Sequence, residues 1–286
     1  MNIKSISSHK NQEPESSVLY LVGTPIGNLN DISMRALNIL QNVSLIACED
    51  TRHTMKLMNK FEIKNHLISF NKLNSSRKIP KLITELKKGK SIALVSDAGM
   101  PSICDPGEDL VKAVKSNKLD VTCIPGPCAA LNALVSSGLP SSKFIFVGFL
   151  PKKQVDREKI LYEISKNEKT TIIYESPKRI RKLLMELLDV CGGDREIMVA
   201  RELTKKFEEH VGNNIYEVIE FFRDKDIIGE ITVVIKGKKK IDLYPDKSII
   251  KKDLNDLINA GLSLSAASKY LAKRNGLKKS EIYNMI

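Results

Sequence analysis

From residue 18 to residue 235, short apolar runs alternate with stretches in which apolar residues recur every three or four positions. The first pattern predicts buried strands and the second amphipathic helices. Strands are predicted at 18–22, 43–48, 66–70, 91–95, 119–124, 144–149, 170–174, 197–200 and 228–235. Between them, helices are predicted at 33–40, 77–90, 107–116, 128–137, 156–166, 180–189 and 216–223, and the second strand runs into a helix through Met55, Leu57 and Met58. Strands and helices in strict alternation imply an α/β fold with a parallel sheet. A charged run at 236–240 separates this region from two further helical patterns, 248–258 and 265–273, the second with Ser265 as its cap. Residues 1–17 are polar throughout and read as a disordered lead.

In an open α/β sheet, ligands bind beyond the carboxyl ends of the strands, and here those ends carry the polar chemistry. The strand at 91–95 breaks into Ser96-Asp97-Ala98-Gly99-Met100-Pro101-Ser102-Ile103-Cys104-Asp105-Pro106-Gly107, a loop that holds two carboxylates, two glycines and two prolines. The first strand ends in Gly23-Thr24-Pro25-Ile26-Gly27, and the second in Glu49-Asp50-Thr51-Arg52-His53. In the latter, Asp50 or Thr51 can equally serve as a simple helix cap. The fifth ends in Pro125-Gly126-Pro127 and feeds a helix of small residues, whose first amides can approach a polar ligand closely. The spacing after the first strand is G-x-x-x-G, not the G-x-G-x-x-G of a dinucleotide site, and Pro25 removes an amide that such a site would use.

Composition narrows the partners. The 286 residues carry a formal net charge of +12, and residues 236–286 hold twelve Lys or Arg against five Asp or Glu. A polyanion is the partner such a balance favours, and the basic helical tail reads as a nucleic-acid appendage resembling a helix-turn-helix. Five cysteines without a C-x-x-C pair suggest neither a disulfide framework nor a zinc site, and the four histidines lack ligand spacing, so no metal is expected. No window approaches the roughly 18 apolar residues of a membrane span, and the first residues lack a secretory apolar core. A cytoplasmic protein is expected.

Four motifs in one order carry a specific resemblance. They are 21–31 (Leu-Val-Gly-Thr-Pro-Ile-Gly-Asn-Leu-Asn-Asp), 48–54 (Cys-Glu-Asp-Thr-Arg-His-Thr), 96–107 and 124–130 (Ile-Pro-Gly-Pro-Cys-Ala-Ala). Together with Tyr174-Glu175-Ser176-Pro177-Lys178-Arg179 and the run from Ala200 to Glu208, they resemble the ribosomal RNA small subunit methyltransferase I family, within the tetrapyrrole methylase superfamily. The resemblance implies two α/β domains with a cofactor cleft between them, 18–126 and 127–240, followed by a helical extension at 241–286. It also implies a homodimer, S-adenosylmethionine as cofactor, and 2′-O-methylation of a cytidine in the decoding region of 16S rRNA within the small subunit.

Carried onto this chain, the resemblance places Pro25, Asp97, Ala98, Gly99, Ile103, Cys128, Ala129, Tyr174 and Leu203 around the cofactor. Met100 stands where close relatives often have threonine, and Cys128 where they often have serine. A general base would help to remove the proton of a ribose hydroxyl, and Asp97, Glu49, Asp50, Glu175 and Glu202 are the candidates, with no choice among them. Arg52, Lys178, Arg179, Arg201 and Lys205 suit RNA phosphates, or else surface ion pairs. Two other readings stay open: a tetrapyrrole C-methyltransferase, and a non-catalytic ribosome- or RNA-binding protein.

Overall fold

The computed structural model describes residues 14–239 and 247–285. The expected disordered lead therefore falls outside the described residues except at its last four positions. Residues up to 238 form one compact unit and those from 239 onward a second.

The first unit contains two five-stranded sheets. Strands β1 (Val18–Val22), β2 (Leu45–Cys48), β3 (Leu67–Ser69), β4 (Ile92–Val95) and β5 (Asp120–Ile124) form the first, in the order β3-β2-β4-β1-β5. Every pairing is parallel, as the alternation of elements predicts. The period-two geometry of a strand explains the layering. Val18, Tyr20 and Val22 point to one face and pack with Ile39 and Leu40 of α1 (Met34–Asn42) and with Leu57 and Met58 of α2 (Thr51–Lys60). Leu19 points to the other face, against Leu82 and Leu86 of α3 (Ser75–Lys87) and Leu110 and Val114 of α4 (Glu108–Ser116). With both faces covered, the strands read as continuous apolar runs. Local chemistry sets the helix starts: Ser33 Oγ accepts from the Ala36 amide and the Asp50 carboxylate from the Arg52 amide.

Helix α5 (Ala129–Ser136) carries the chain from the first sheet to the second. Its small residues fit it between layers, where Ala130, Ala133 and Leu134 pack with Ile26 from the first half and with Ile172, Met198 and Val234 from the second sheet. That sheet has the order β6-β7-β10-β8-β9 and comprises β6 (Phe144–Phe149), β7 (Thr170–Glu175), β8 (Glu196–Arg201), β9 (Glu209–Asn214) and β10 (Ile231–Ile235). Its opposite face is covered by α6 (Gln154–Lys166), α7 (Ile180–Cys191) and α8 (Ile215–Phe222), through Leu161, Leu183, Leu187 and Phe222. Truncating one of these leucines to Ala costs about 2–5 kcal/mol.

Three features depart from the sequence pattern. Only β6 and β7 are parallel in the second sheet; β10 runs antiparallel to β7 and β8, and β9 to β8. Strand β9 is new. It is an edge strand whose one buried residue is Val211, so it carries no apolar alternation to read. In the second unit, α9 (Lys247–Asn259) and α10 (Leu264–Asn275) are joined by a further short helix, α11 (Lys279–Tyr283). The cap of α10 is Ser263, whose Oγ accepts from the Ala266 amide, and not Ser265. Ile250, Leu254, Leu271 and Ile282 form this unit's own small core.

Candidate active site

The loop after β4 is held from both sides. Ser96 is 3% exposed, and its hydroxyl donates to the carbonyls of Ala98 and Gly99 at 3.3 Å. Thr24 and Gly99 exchange backbone hydrogen bonds of 2.9 and 3.0 Å, which ties the loop after β1 to the loop after β4. Asp97 Oδ1 accepts from the Asp50 amide at 3.1 Å, adding the end of β2. Three strand ends thus converge, as the crevice rule requires. Gly99 has φ +79, and Ser102 and Cys104 hold φ values of 72 and 65 without being glycine. Left-handed backbone at such residues is strained, and strain of this kind concentrates at ligand sites.

This loop forms one wall of a cleft of about 470 Å³ within the first unit, a size that suits a small cofactor. The opposite wall comes from the ends of β7 and β8, with Tyr174 and Leu203. The Tyr174 hydroxyl accepts from the Ala130 amide at 3.1 Å, and Phe146 and Phe149 meet its ring edge-on at 4.9 and 5.6 Å. Burial, and after it the neighbouring Cys128 thiol, holds this hydroxyl far above its usual range, so it stays neutral and acts as a fixed hydrogen-bonding group.

The cleft is acidic. Glu49, Asp97, Asp105, Glu175 and Glu230 line it, and among the described residues no Lys or Arg does. Burial, then the Asp105 and Asp97 carboxylates, push Glu49 above the usual carboxylate range. Burial also raises Asp105, against the Ser96 hydroxyl and Lys72 and with Asp97 adding to it. In a chain of net charge +12, this is a local inversion that suits a cationic ligand. Apolar surface from Ile103, Phe149 and Leu203 leaves room for a flat, less polar part.

Of the nine positions expected at a cofactor, Asp97, Ala98, Gly99, Ile103, Cys128, Ala129, Tyr174 and Leu203 line this one cleft. Pro25 is buried beside it and lines a neighbouring cavity instead. The sequence pattern missed Phe149, the last residue of β6, although its strand-end position was the available signal.

The base candidates separate. Asp97 and Glu49 face the cleft. Asp50 caps α2 and pairs with Arg52 at 2.7 Å, which holds its carboxyl down to about 2. Glu175 borders the cleft, but its side chain is fully buried, paired with Arg179 at 2.6 Å and with Arg157 at 3.5 Å. Arg157 in turn meets Glu186 at 2.7 Å. Glu202 binds Lys205 at 2.8 Å; burial pushes it up, and Lys205, the Glu230 amide and Arg201 more than offset this to leave it below the usual range.

The proposed phosphate ligands are mostly paired within the protein: Arg52 with Asp50, Arg179 with Glu175, Arg201 with Glu209 at 3.0 Å, and Lys205 with Glu202 and Glu230. Arg52 nonetheless leaves 88% of its side chain exposed. Among the described residues, Lys178 is exposed and makes no ion pair.

Two α/β sheets, a bridging small-residue helix and a cleft at converging strand ends define the tetrapyrrole methylase class. A family model described as Tetrapyrrole (Corrin/Porphyrin) Methylases matches residues 18–219. Among solved structures, a cobalt precorrin-4 methyltransferase superposes with TM-score 0.59 at 16% identity, covering 77% of this chain and 95% of that one. A uroporphyrin-III C-methyltransferase from Thermus thermophilus, complexed with S-adenosyl homocysteine, gives TM-score 0.52 at 16% identity, over 76% and 96%. These likenesses concern the fold. Sequence relatives are nearer: proteins named ribosomal RNA small subunit methyltransferase I from Thermotoga maritima (47% identical, 77% of this chain and 99% of that one) and from Vibrio cholerae (43% identical, 93% of each). The chain belongs to the ribosomal RNA small subunit methyltransferase I family.

Proposed function

We propose that this protein methylates the 2′-hydroxyl of a cytidine in the decoding region of 16S rRNA, with S-adenosylmethionine as donor. The observation that carries the donor assignment is the acidic cleft. When bound, S-adenosylmethionine supplies an electrophilic methyl group on a positively charged sulfur. Glu49, Asp97 and Asp105, which form no ion pair among the described residues, match that sulfonium and the amino-acid ammonium, while Gly99 allows backbone to approach closely. Ala98, Gly99, Ile103, Cys128 and Ala129 would hold the methionine side, and Tyr174 and Leu203 the adenosine side, with the exposed ring of Phe149 adding an apolar surface.

Among the base candidates, Asp97 and Glu49 are the ones that line the cleft without an Arg or Lys ion pair, and Asp97 is favoured as proton acceptor because it borders a second cavity as well. Arg52 and Lys178 are the cations most available to RNA phosphates. The homodimer is supported by the resemblance and by Leu131 and Val135, four residues apart on α5 and 47% and 74% exposed. The small-subunit substrate and the cytoplasmic location follow from the same resemblance; among the described residues, no helix is long and apolar enough to cross a membrane.

A tetrapyrrole substrate is disfavoured by the basic C-terminal segment, residues 236–286 with twelve Lys or Arg against five Asp or Glu, for which a small substrate offers no use. Incubation with methyl-labelled S-adenosylmethionine and either undermethylated 30S subunits or tetrapyrrole precursors tests the proposal. Label in the 2′-O-methyl group of one 16S cytidine is expected. Label in the tetrapyrrole overturns it, and label in neither leaves only a binding protein.

A further inference from the structure

Beside the cofactor cleft lies a second cavity of about 410 Å³ that the cofactor positions do not explain. The two share Ile26, Asp97, Ala98 and Glu230 as a common wall. The division between them is built by a strap. The Thr24–Gly99 hydrogen bonds fix one end of the loop after β1. At the other end the Asn28 amide donates to Thr204 Oγ1 at 3.0 Å, and Gly27 lies so close to the next residue that an added Cβ would stand 2.4 Å from Lys205 Cγ. A glycine is what lets the first half of the chain touch the second here.

The two chambers differ in charge. Among the described residues, the charged side chains lining the first are all carboxylates. The second adds Lys56, Lys205 and His53 to the shared Asp97 and Glu230, and has a floor of Pro25, Leu29 and Leu57. Glu202 and Glu230 hold the Lys205 ammonium at 2.8 and 3.0 Å, fixing its direction. An exposed lysine without an ion pair among the described residues, Lys56, beside an apolar floor suits a phosphate-linked base with its sugar, and a shared wall suits two reactants that must meet.

We propose that the second chamber receives the target nucleotide of a single-stranded RNA, its phosphate near Lys56 and Lys205, its base against Leu29 and Leu57, and its ribose hydroxyl at the Asp97 wall. This rests on the RNA-methylation reading above and names the subsite which that reading leaves open. It assigns Lys56 and Leu29 a role in substrate binding, and it makes Lys205 a chamber residue and not merely a surface contact.

The test compares wild type with Leu29→Trp, which fills the chamber, and Lys56→Glu, which reverses a charge at its rim. Lys56 is an exposed helix residue, so the second variant keeps the test alive if the first folds poorly. Affinity for S-adenosyl homocysteine is measured by calorimetry, and affinity for a fluorescent, cytidine-containing single-stranded oligoribonucleotide by anisotropy in its presence. Transfer of label to undermethylated 30S subunits is measured alongside. Both variants are expected to keep the first affinity within twofold, weaken the second at least tenfold, and raise the KM for 30S. Oligonucleotide affinity within twofold of wild type in both variants overturns the proposal, as does an equal loss of S-adenosyl homocysteine affinity. Chamber-dependent oligonucleotide binding without label in 30S refutes the reaction while leaving the chamber assignment standing.

Discussion

The cleft owes its shape to one backbone contact that no side chain larger than hydrogen permits. Gly126, after β5, lies against Gly23, after β1; a Cβ on Gly126 would stand 2.7 Å from Gly23 Cα and 2.9 Å from its carbonyl carbon and oxygen. Ordinary contact begins near 3.4 Å, so Gly126→Ala requires a displacement of about 0.7 Å between two backbones. Neither is free to give: Gly23 precedes Thr24, which is tied to Gly99, and Gly126 precedes Cys128 and Ala129 on the cleft wall. Overpacking of this order costs about 1–3 kcal/mol, a fall of roughly 2–12 °C in Tm for a unit this size. A misplacement near 1 Å costs up to about 100-fold in rate. The expected result is a loss of about ten- to fiftyfold in kcat/KM, with weaker S-adenosyl homocysteine binding by calorimetry.

Gly138→Ala provides the comparison. That glycine has φ +69 with nothing within 4 Å of an added Cβ, so the substitution adds backbone strain of about 1–2 kcal/mol and no crowding. It should lower Tm and leave cofactor affinity unchanged. If Gly126→Ala binds S-adenosyl homocysteine and turns over within twofold of wild type, the Gly23 contact does not set the cleft.

Three further outcomes are expected. Asp105→Asn removes a carboxylate whose folded-state pKa burial has raised; a raised carboxylate pKa costs stability above that pKa and regains it as pH falls, so the variant should melt higher at pH 7, by scanning calorimetry, yet bind S-adenosylmethionine more weakly. For the wild type the same shifts at Asp105 and Glu49 mean that affinity for this cation declines on acidification at a higher pH than ordinary carboxylates would give. Arg157→Met leaves buried Glu175 and partly buried Glu186 without that partner, costing about 3–5 kcal/mol in urea unfolding, with Arg157→Lys recovering part of the loss. Removing residues 241–286 takes away a unit with its own core and should weaken binding to 30S subunits, read by sedimentation, while calorimetric affinity for S-adenosyl homocysteine stays within twofold.

What could be read from the chain follows the length of its physical signals. The first sheet was legible because both its faces are covered, which makes β2 and β4 unbroken apolar runs. Strand β9 was not, since Glu-His-Val-Gly-Asn-Asn buries one residue and is placed by its pairing with β8, a contact that is remote from local pattern. The antiparallel course of β10 was hidden for the same reason: Ile-Thr-Val-Val-Ile is a buried run whose pattern carries no sign of strand direction. At the site, the motifs named eight positions that line one cleft, because backbone geometry constrains the residues there. They could not reveal that Glu175 is locked by Arg157, which comes from a helix 18 residues earlier in the chain, or that Pro25 faces the other chamber.

The net charge illustrates why composition and site must be argued separately. A value of +12 speaks to association with a polyanion, and taken alone it would place cations at the reaction centre. The structure instead lines the candidate cleft with carboxylates, while Lys56 and Lys205 border the neighbouring cavity together with Asp97 and Glu230. Ile26 and Gly27 separate the two cavities by a single loop, while Asp97 remains on both sides. On the proposed reading the carboxylate that attracts the donor is also the one that takes the acceptor's proton, so its removal should affect binding and turnover together, whereas Lys56→Glu should reach only the acceptor side.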